Sequence, residues 1–407
     1  MWLSEATGVQ KKALLAASLG WMLDSMDILL YSMVLAAMMR DLAMNESTAG
    51  LMASLTLGAS AIGGIAFGIM ADRWGRTRAL MISILGYSVF TAACGFAQNI
   101  GQLALFRILL GLGMGGEWAC GAALVAETWP AEHRGKALGV MQSSWAVGYG
   151  LAAALTAVLM PRFGWRPVFF AGIVPALITF WIWRYVPEPE IWLRSRRQEE
   201  GRSPAARLPE LWRGKYRRDF IVATIANAGA MFAWWGLFTW IPAYLSLPHG
   251  QGGAGLDIVK TSTWIILMQA GMWLGYVSFG YISDRIGRRS SYVGYIFVAA
   301  ALVPIYGSTR NPSLLLLIGP LLAFFGTGYF SGFGAITAEL FPTTIRASAQ
   351  GLTYNLGRGA SAAAPFLVGA LSVKHGLGSA FLITSAAFIL AGMTALLLPE
   401  TRGRQLE

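Results

Sequence analysis

Gly68-Ile-Met-Ala-Asp72-Arg73-Trp-Gly75-Arg76 recurs 212 residues later as Gly280-Tyr-Ile-Ser-Asp284-Arg285-Ile-Gly287-Arg288. Two further matches keep the same spacing. Ala126-Glu127 with Pro130 and Arg134 returns as Ala338-Glu339 with Pro342 and Arg346, and Pro187-Glu188 returns as Pro399-Glu400. Three matches at a single offset mark an internal duplication, the pattern of two halves built around a central site. The reading divides the chain into residues 1–187, a polar linker at 188–218, and residues 219–407.

What the halves are made of follows from composition. Hydrophobic residues make up 56% of the chain and charged residues only 13%, against about 25% charged in a typical soluble domain. Apolar stretches such as Ile62–Met70, Ala104–Leu112, Phe169–Trp183, Leu314–Phe325 and Phe381–Leu398 sit in windows of roughly 20 residues, long enough to cross a bilayer as helix. They lack the period-2 alternation of a membrane barrel. The predicted fold is an all-α membrane protein with twelve transmembrane helices in two six-helix, pseudo-symmetric bundles. The spans run over 12–38, 49–71, 79–97, 101–127, 135–160, 165–187, 219–247, 259–283, 289–308, 312–338, 348–373 and 377–399.

The formal charge of +11 is a topology signal rather than a nucleic-acid footprint. Of the 31 Lys and Arg, Arg40, Arg162, Arg166, Lys260, Arg310 and Lys374 fall on one side of the predicted spans and Arg107 and Arg358 within them. The rest share the other side. The positive-inside rule makes that side cytoplasmic, together with both termini. The linker Glu188–Arg218 is then a cytoplasmic tether, part of it an amphipathic segment at the lipid surface. Cys94 and Cys120 fall inside spans, where they read as packing residues. All three histidines lie in loops, so no histidine relay is expected inside the bilayer. No nucleophile–base arrangement points to an enzyme, and the chain is expected to act as a monomer.

The GxxxDRxGR loop and its repeat resemble the signature of the major facilitator superfamily. Arg107-Ile-Leu-Leu-Gly111-Leu-Gly113-Met-Gly115-Gly116-Glu117 is similar to that family's helix-4 element. The stretches ending each half, Val186-Pro187-Glu188-Pro189-Glu190 and Leu398-Pro399-Glu400-Thr401-Arg402-Gly403, resemble the sugar, organic-ion and metabolite:proton symporter branch. Gly111–Gly116 has no strand before it, so it reads as close helix packing and not as a phosphate loop. Asp72, Arg73 and Arg76, with Asp284, Arg285 and Arg288, are placed to make charge-assisted contacts that latch one face closed, a gating role.

Five ionisable residues fall deep in spans: Asp24, Asp27, Arg107, Glu117 and Arg358. Each costs about 2.5–3.5 kcal/mol at the bilayer centre. None has a charged counterpart in the other half, where Gly236, Thr239, Gly319, Tyr329 and Ala146 stand. Demands of the fold act on both halves alike, so unmatched charges point to function. At about 1.5 Å per residue, Glu117 and Arg358 lie roughly 15 Å from the cytoplasmic end, Asp24 roughly 18 Å, Asp27 near 22 Å and Arg107 near 30 Å. Asp24 and Asp27 share a helix face.

The sequence Gly20-Trp-Met-Leu-Asp24-Ser-Met-Asp27 and the Gly-Gly-Glu117 of span 4 resemble the metabolite:proton symporters, including the aromatic-acid and monocarboxylate–sialate branches. That resemblance implies a proton site at Asp27 or Asp24, with Arg107 as its partner. Arg358, in Tyr354-Asn355-Leu-Gly357-Arg358, resembles the helix-11 arginine of organic-anion carriers, and its planar fork matches a carboxylate. Asn227, Tyr329 and Gln142 are further expected substrate contacts, with Tyr354 and Asn355. Trp240 is expected in the interfacial aromatic belt. The implied activity is proton-coupled symport of a small organic acid across the inner membrane, with protons as the only coupling agent and no cofactor. A sugar or polyol symporter, an exporter of amphipathic compounds and a membrane receptor are the rival readings.

Overall fold

The computed structural model describes residues 3–190, 192–193, 212, 214–341 and 346–402. Most of the linker, and the side chain of Asp72, lie outside the described residues. Among those described, no strand occurs and twelve helices are long and apolar enough to cross a membrane. They are α1 (Gly8–Asp41), α2 (Glu46–Trp74), α3 (Arg76–Cys94), α4 (Ile100–Thr128), α5 (Ala131–Phe163) and α6 (Arg166–Tyr185). After the linker come α7 (Tyr216–Ser246), α8 (Ile258–Ile286), α9 (Arg288–Ser308), α10 (Pro312–Thr337), α11 (Ala349–His375) and α12 (Leu377–Ala395). The all-α membrane fold expected from the apolar windows is the fold observed.

Local chemistry sets where these helices start. Thr7 opens α1 with a reciprocal cap, accepting from Gln10 N at 3.3 Å while its own N–H donates to Gln10 Oε1 at 2.8 Å. Asn99, Asp257 and Asn311 cap α4, α8 and the first piece of α10 with side-chain oxygens. The Asp257 carboxyl is held below the ordinary carboxylate range, chiefly by the Lys260 backbone N–H. Within the bilayer, where apolar burial does not drive helices together, small residues allow close approach. A Cβ on Gly111 or Gly115 of α4 would strike the α2 backbone at Thr56 and Ser60, and one on Gly113 would strike α3 at Tyr87 N. The glycine run of α4 is therefore a packing surface.

Contacts group into two units. One holds Met1–Met44 and Leu55–Glu200, the other Asn45–Ser54 and Gly201–Glu407. The first turns of α2 thus fall with the second unit, where the Phe366 N–H donates to Ser54 Oγ at 3.1 Å. In the first unit α1 is the enclosed helix, 89% of its apolar window being buried, against 33% for α6. Leu177, Phe180 and Trp183 of α6 point outward, an apolar face suited to lipid.

Several spans expected to be continuous are broken. α6 consists of Arg166–Phe170, a 3₁₀ turn at Ala171–Ile173, and Val174–Tyr185 with Pro175 in its first turn. Pro175 has no N–H to give to a carbonyl four residues back, so the ladder is interrupted there. α7 breaks before Ile241–Ser246, whose first turn contains Pro242, and α10 breaks at Tyr329. Trp240, at the break in α7, is fully buried and donates its indole N–H to Pro365 O at 3.0 Å. That corrects the interfacial-belt expectation: a partner inside the protein, on α11, claims its polar edge.

Candidate functional site

The duplicated motifs build the same charged cluster in each unit. In the first, Arg76 pairs with Glu127 at 2.9 Å, and Glu188 accepts from the backbone N–H of Thr77 and of Arg78, each at 3.1 Å. In the second, Arg288 pairs with Asp284 at 2.6 Å and approaches Glu339 at 3.5 Å, while Glu400 accepts from the Arg288 N–H at 2.7 Å. Gly75 and Gly287 have φ of 115° and 108°, and the Glu188 and Glu400 carboxylates occupy the space a Cβ would fill. Each Pro-Glu segment therefore caps the helix that follows the loop, α3 or α9, at its positive end. Burial pushes the Glu400 carboxyl up, but the backbone N–H groups of Arg402, Arg288 and Arg289 outweigh it and hold the group below its ordinary range. Arg73 and Arg285 are exposed. Glu127, Glu339, Glu188 and Glu400 were legible as repeats, but their partners were not.

A second set of polar groups lies in the interior of the first unit. Asp24, Asp27, Glu117 and Arg107 are each at most 1% exposed. Gly20 makes room for the acid from α4, since a Cβ there would strike Glu117 Oε1. Tyr87 of α3 donates to Gly20 O at 3.3 Å and stands within Coulombic reach of Asp24, Glu117 and Asp27. The three acids, two from α1 and one from α4, thus gather around Tyr87. Asp27 turns toward α3 and the break in α6: Gly172 lies against both Asp27 Oδ1 and Thr91.

The expected Asp27–Arg107 ion pair does not form. Arg107 instead lies 4.1 Å from the centre of the Tyr31 ring. Its Nε and Nη1, and both oxygens of Asp27, have no hydrogen-bond partner among the described residues. The reason is axial: the two residues differ in depth by about 8 Å, more than a helical turn, and Tyr31, four residues beyond Asp27, fills the space beside the guanidinium. Elsewhere in this unit, Gln142 of α5 accepts from Trp118 Nε1 at 3.4 Å, and the Trp21 and Trp145 rings are 4.5 Å apart. Trp21, three residues before Asp24 and so on its face, was readable from spacing and was missed.

In the second unit Arg358 is 3% exposed, and its Nε has no hydrogen-bond partner among the described residues. Asn227 of α7 donates to Thr353 O at 3.2 Å, and Gly357 leaves room for its amide nitrogen. It acts as a strut between α7 and the turn of α11 that carries Arg358. Tyr329 donates to Ala230 O at 3.0 Å and is packed by Tyr292 and Phe388. Its hydroxyl is already committed to the bundle. Asn355 donates to Gly351 O of its own helix at 3.0 Å, and Tyr354 is half-buried beside it. Of the expected substrate contacts in this unit, Arg358 therefore retains an uncommitted buried donor, while Asn227 and Tyr329 are tied to backbone.

Comparison with known proteins agrees with this architecture. The sequence profile of the Major Facilitator Superfamily matches residues 15–276 and 253–406. The chain is 35% identical to a probable 4-methylmuconolactone transporter of Cupriavidus pinatubonensis, over 100% of this chain and 94% of that protein. It is 32% identical to the cis,cis-muconate transport protein of Acinetobacter baylyi (94% and 92% covered) and 31% identical to the sialic acid transporter NanX of Escherichia coli (95% and 93%). Among solved structures, the partially occluded inward-open xylose transporter XylE from E. coli superposes with a TM-score of 0.79 at 18% identity, covering 98% of this chain and 100% of that one. With its duplicated loops, its twelve spans and relatives that are transporters rather than enzymes, the chain belongs to the Major Facilitator Superfamily.

Proposed function

We propose that this multi-pass membrane protein is a proton-coupled symporter of small organic acid anions, aliphatic or aromatic monocarboxylates, working by alternating access in the inner membrane. Both termini and the linker face the cytoplasm in this reading, and the Arg76 and Arg288 clusters latch that side. The observation that carries the anion assignment is Arg358, a buried guanidinium whose Nε has no partner among the described residues. An uncompensated buried charge is costly until an anion meets it. The relatives support the same class, being named for 4-methylmuconolactone, cis,cis-muconate and sialic acid. The xylose transporter shares the fold at 18% identity, which gives no ground for a sugar. The test is a thermal-shift screen of purified protein against cis,cis-muconate, nicotinate, benzoate and xylose, followed by uptake into proteoliposomes under an imposed pH gradient. Stabilisation by xylose and by none of the acids overturns the assignment.

A further inference from the structure

Asp27 has an unusual setting for a buried acid. The cation expected beside it lies over Tyr31 instead, and neither carboxyl oxygen has a hydrogen bond among the described residues. Around it stand Thr91 of α3, whose buried Oγ1 also has no hydrogen-bond partner among the described residues, and Gly172 at the 3₁₀ break of α6. The Thr91 side chain and Asp27 Oδ1 both border the space in front of Gly172, and the two do not meet in hydrogen-bonding geometry. Gly172 is what permits the approach, because a Cβ there would strike Thr91 Cγ2 and lie 3.3 Å from Asp27 Oδ1. An irregular stretch of backbone at membrane depth, next to an unbonded acid and an unbonded hydroxyl, is a place built to change its hydrogen bonding.

We propose that Thr91 is the positioning residue for Asp27, engaging its carboxyl when a proton binds, and that the site is closed by α1, α3 and the Gly172 turn of α6 rather than by Arg107. The proposal rests on the proton-coupled reading above and adds to it the partner and the enclosure of the proton. In the step itself, one carboxylate oxygen takes a proton from hydronium, leaving water. The new O–H and the Thr91 hydroxyl then satisfy each other, and the proton returns to water on the opposite side. A threonine hydroxyl can both donate and accept, so it serves the charged and the neutral carboxyl alike. An arginine serves only the charged one. The other titratable groups around Asp27 are Asp24 and Tyr31 on its own helix, Tyr87 and Cys94 on α3, and Glu117 of α4 within reach of Tyr87, with Arg107 near Cys94 and Tyr31.

Infrared difference spectroscopy of the full chain in lipid, titrated with pH in the absence of any transported acid, reads the Asp27 carboxyl directly. Asp27→Asn identifies its protonated C=O band. Thr91→Val should move that band to higher frequency, Thr91→Ser should restore it, and Gly172→Ala should shift it with the threonine intact. In proteoliposomes, Thr91→Val should lower pH-driven accumulation of nicotinate on the order of tenfold, the worth of one charge-assisted hydrogen bond, while nicotinate exchange persists. A band unchanged in folded Thr91→Val overturns the proposal, as does a band that moves only when Arg107 is replaced. If the band responds as expected but no acid is accumulated by wild type, the fault lies with the symport reading and not with the Asp27–Thr91 pairing.

Discussion

The role of Arg358 can be read by substitution. Losing one partner of a buried charge pair costs about 3–5 kcal/mol, more than a hundredfold in affinity. Arg358→Ala should therefore abolish binding of a carboxylate such as nicotinate, and Arg358→Lys should retain part of it, lacking the fork. A folded Arg358→Ala that binds nicotinate as tightly as wild type would refute the anion site. Asp27→Asn should retain exchange but lose uphill accumulation on a pH gradient; if it still concentrates the acid, Asp24 is the next residue to replace. These residues were legible because charge in a span is rare and none was duplicated. Their partners were not legible. Thr91 and Ser88 are buried hydroxyls without a partner among the described residues, but Ser and Thr in spans are common and most bond their own helix. The Asp27–Arg107 pairing failed because the two residues lie more than a helical turn apart in depth, and Tyr31 occupies the intervening place.

At the level of elements, duplicated loop and half-ending motif turn out to be two parts of one joint, a glycine and the glutamate that fills its vacant Cβ position. Gly287→Ala should destabilise the protein by about 1–3 kcal/mol, because φ of 108° is a glycine-only conformation and the methyl would displace Glu400. Thermal unfolding in detergent, beside Gly280→Ala, where nothing lies within 4 Å of the added methyl, checks this; equal melting temperatures would sink the joint. Glu400 also predicts a pH effect with a definite sign. Backbone N–H groups at the start of α9 and in the chain after Glu400 hold its carboxyl below the ordinary value, near 4.3 when unfolded. Its stabilisation is thus present above that value and is lost as pH falls through the folded one. Glu400→Gln should lower the melting temperature at pH 7 and flatten its fall below about pH 4. The offset of the motifs was readable from sequence, whereas the joint needs α3 beside the end of α6, and α9 beside the end of α12. The breaks in α6 and α7 also escaped, since Pro175 and Pro242 sit in uniformly apolar runs whose hydropathy hides them.

For the whole molecule, the duplication and the one-sided Lys and Arg give a topology that reporter fusions can check. Residues 200 and 250 should report opposite sides, and a shared side would end the two-half reading. Charge balance gives the sharper test. Asp24, Asp27 and Glu117 against Arg107 and Arg358 bring the sum of the chain's buried span charges to −1 when every acid is ionised. Adding a monocarboxylate alone makes it −2, which low dielectric penalises, whereas a monocarboxylate with one proton leaves it at −1. The loaded and the empty carrier then differ by no net charge, so translocation moves none across the membrane. Nicotinate or benzoate uptake into proteoliposomes should follow an imposed pH gradient and stay within about twofold when a potassium diffusion potential is added or reversed. By comparison, one net charge in 100 mV is worth about 2.3 kcal/mol, a factor near fifty in accumulation. A dicarboxylate such as cis,cis-muconate, taken up with a single proton, should show that potential dependence in the same vesicles. Potential-driven uptake of the monocarboxylate, or none driven by pH, would mean that the acids of the first unit do not take up one proton for each anion carried.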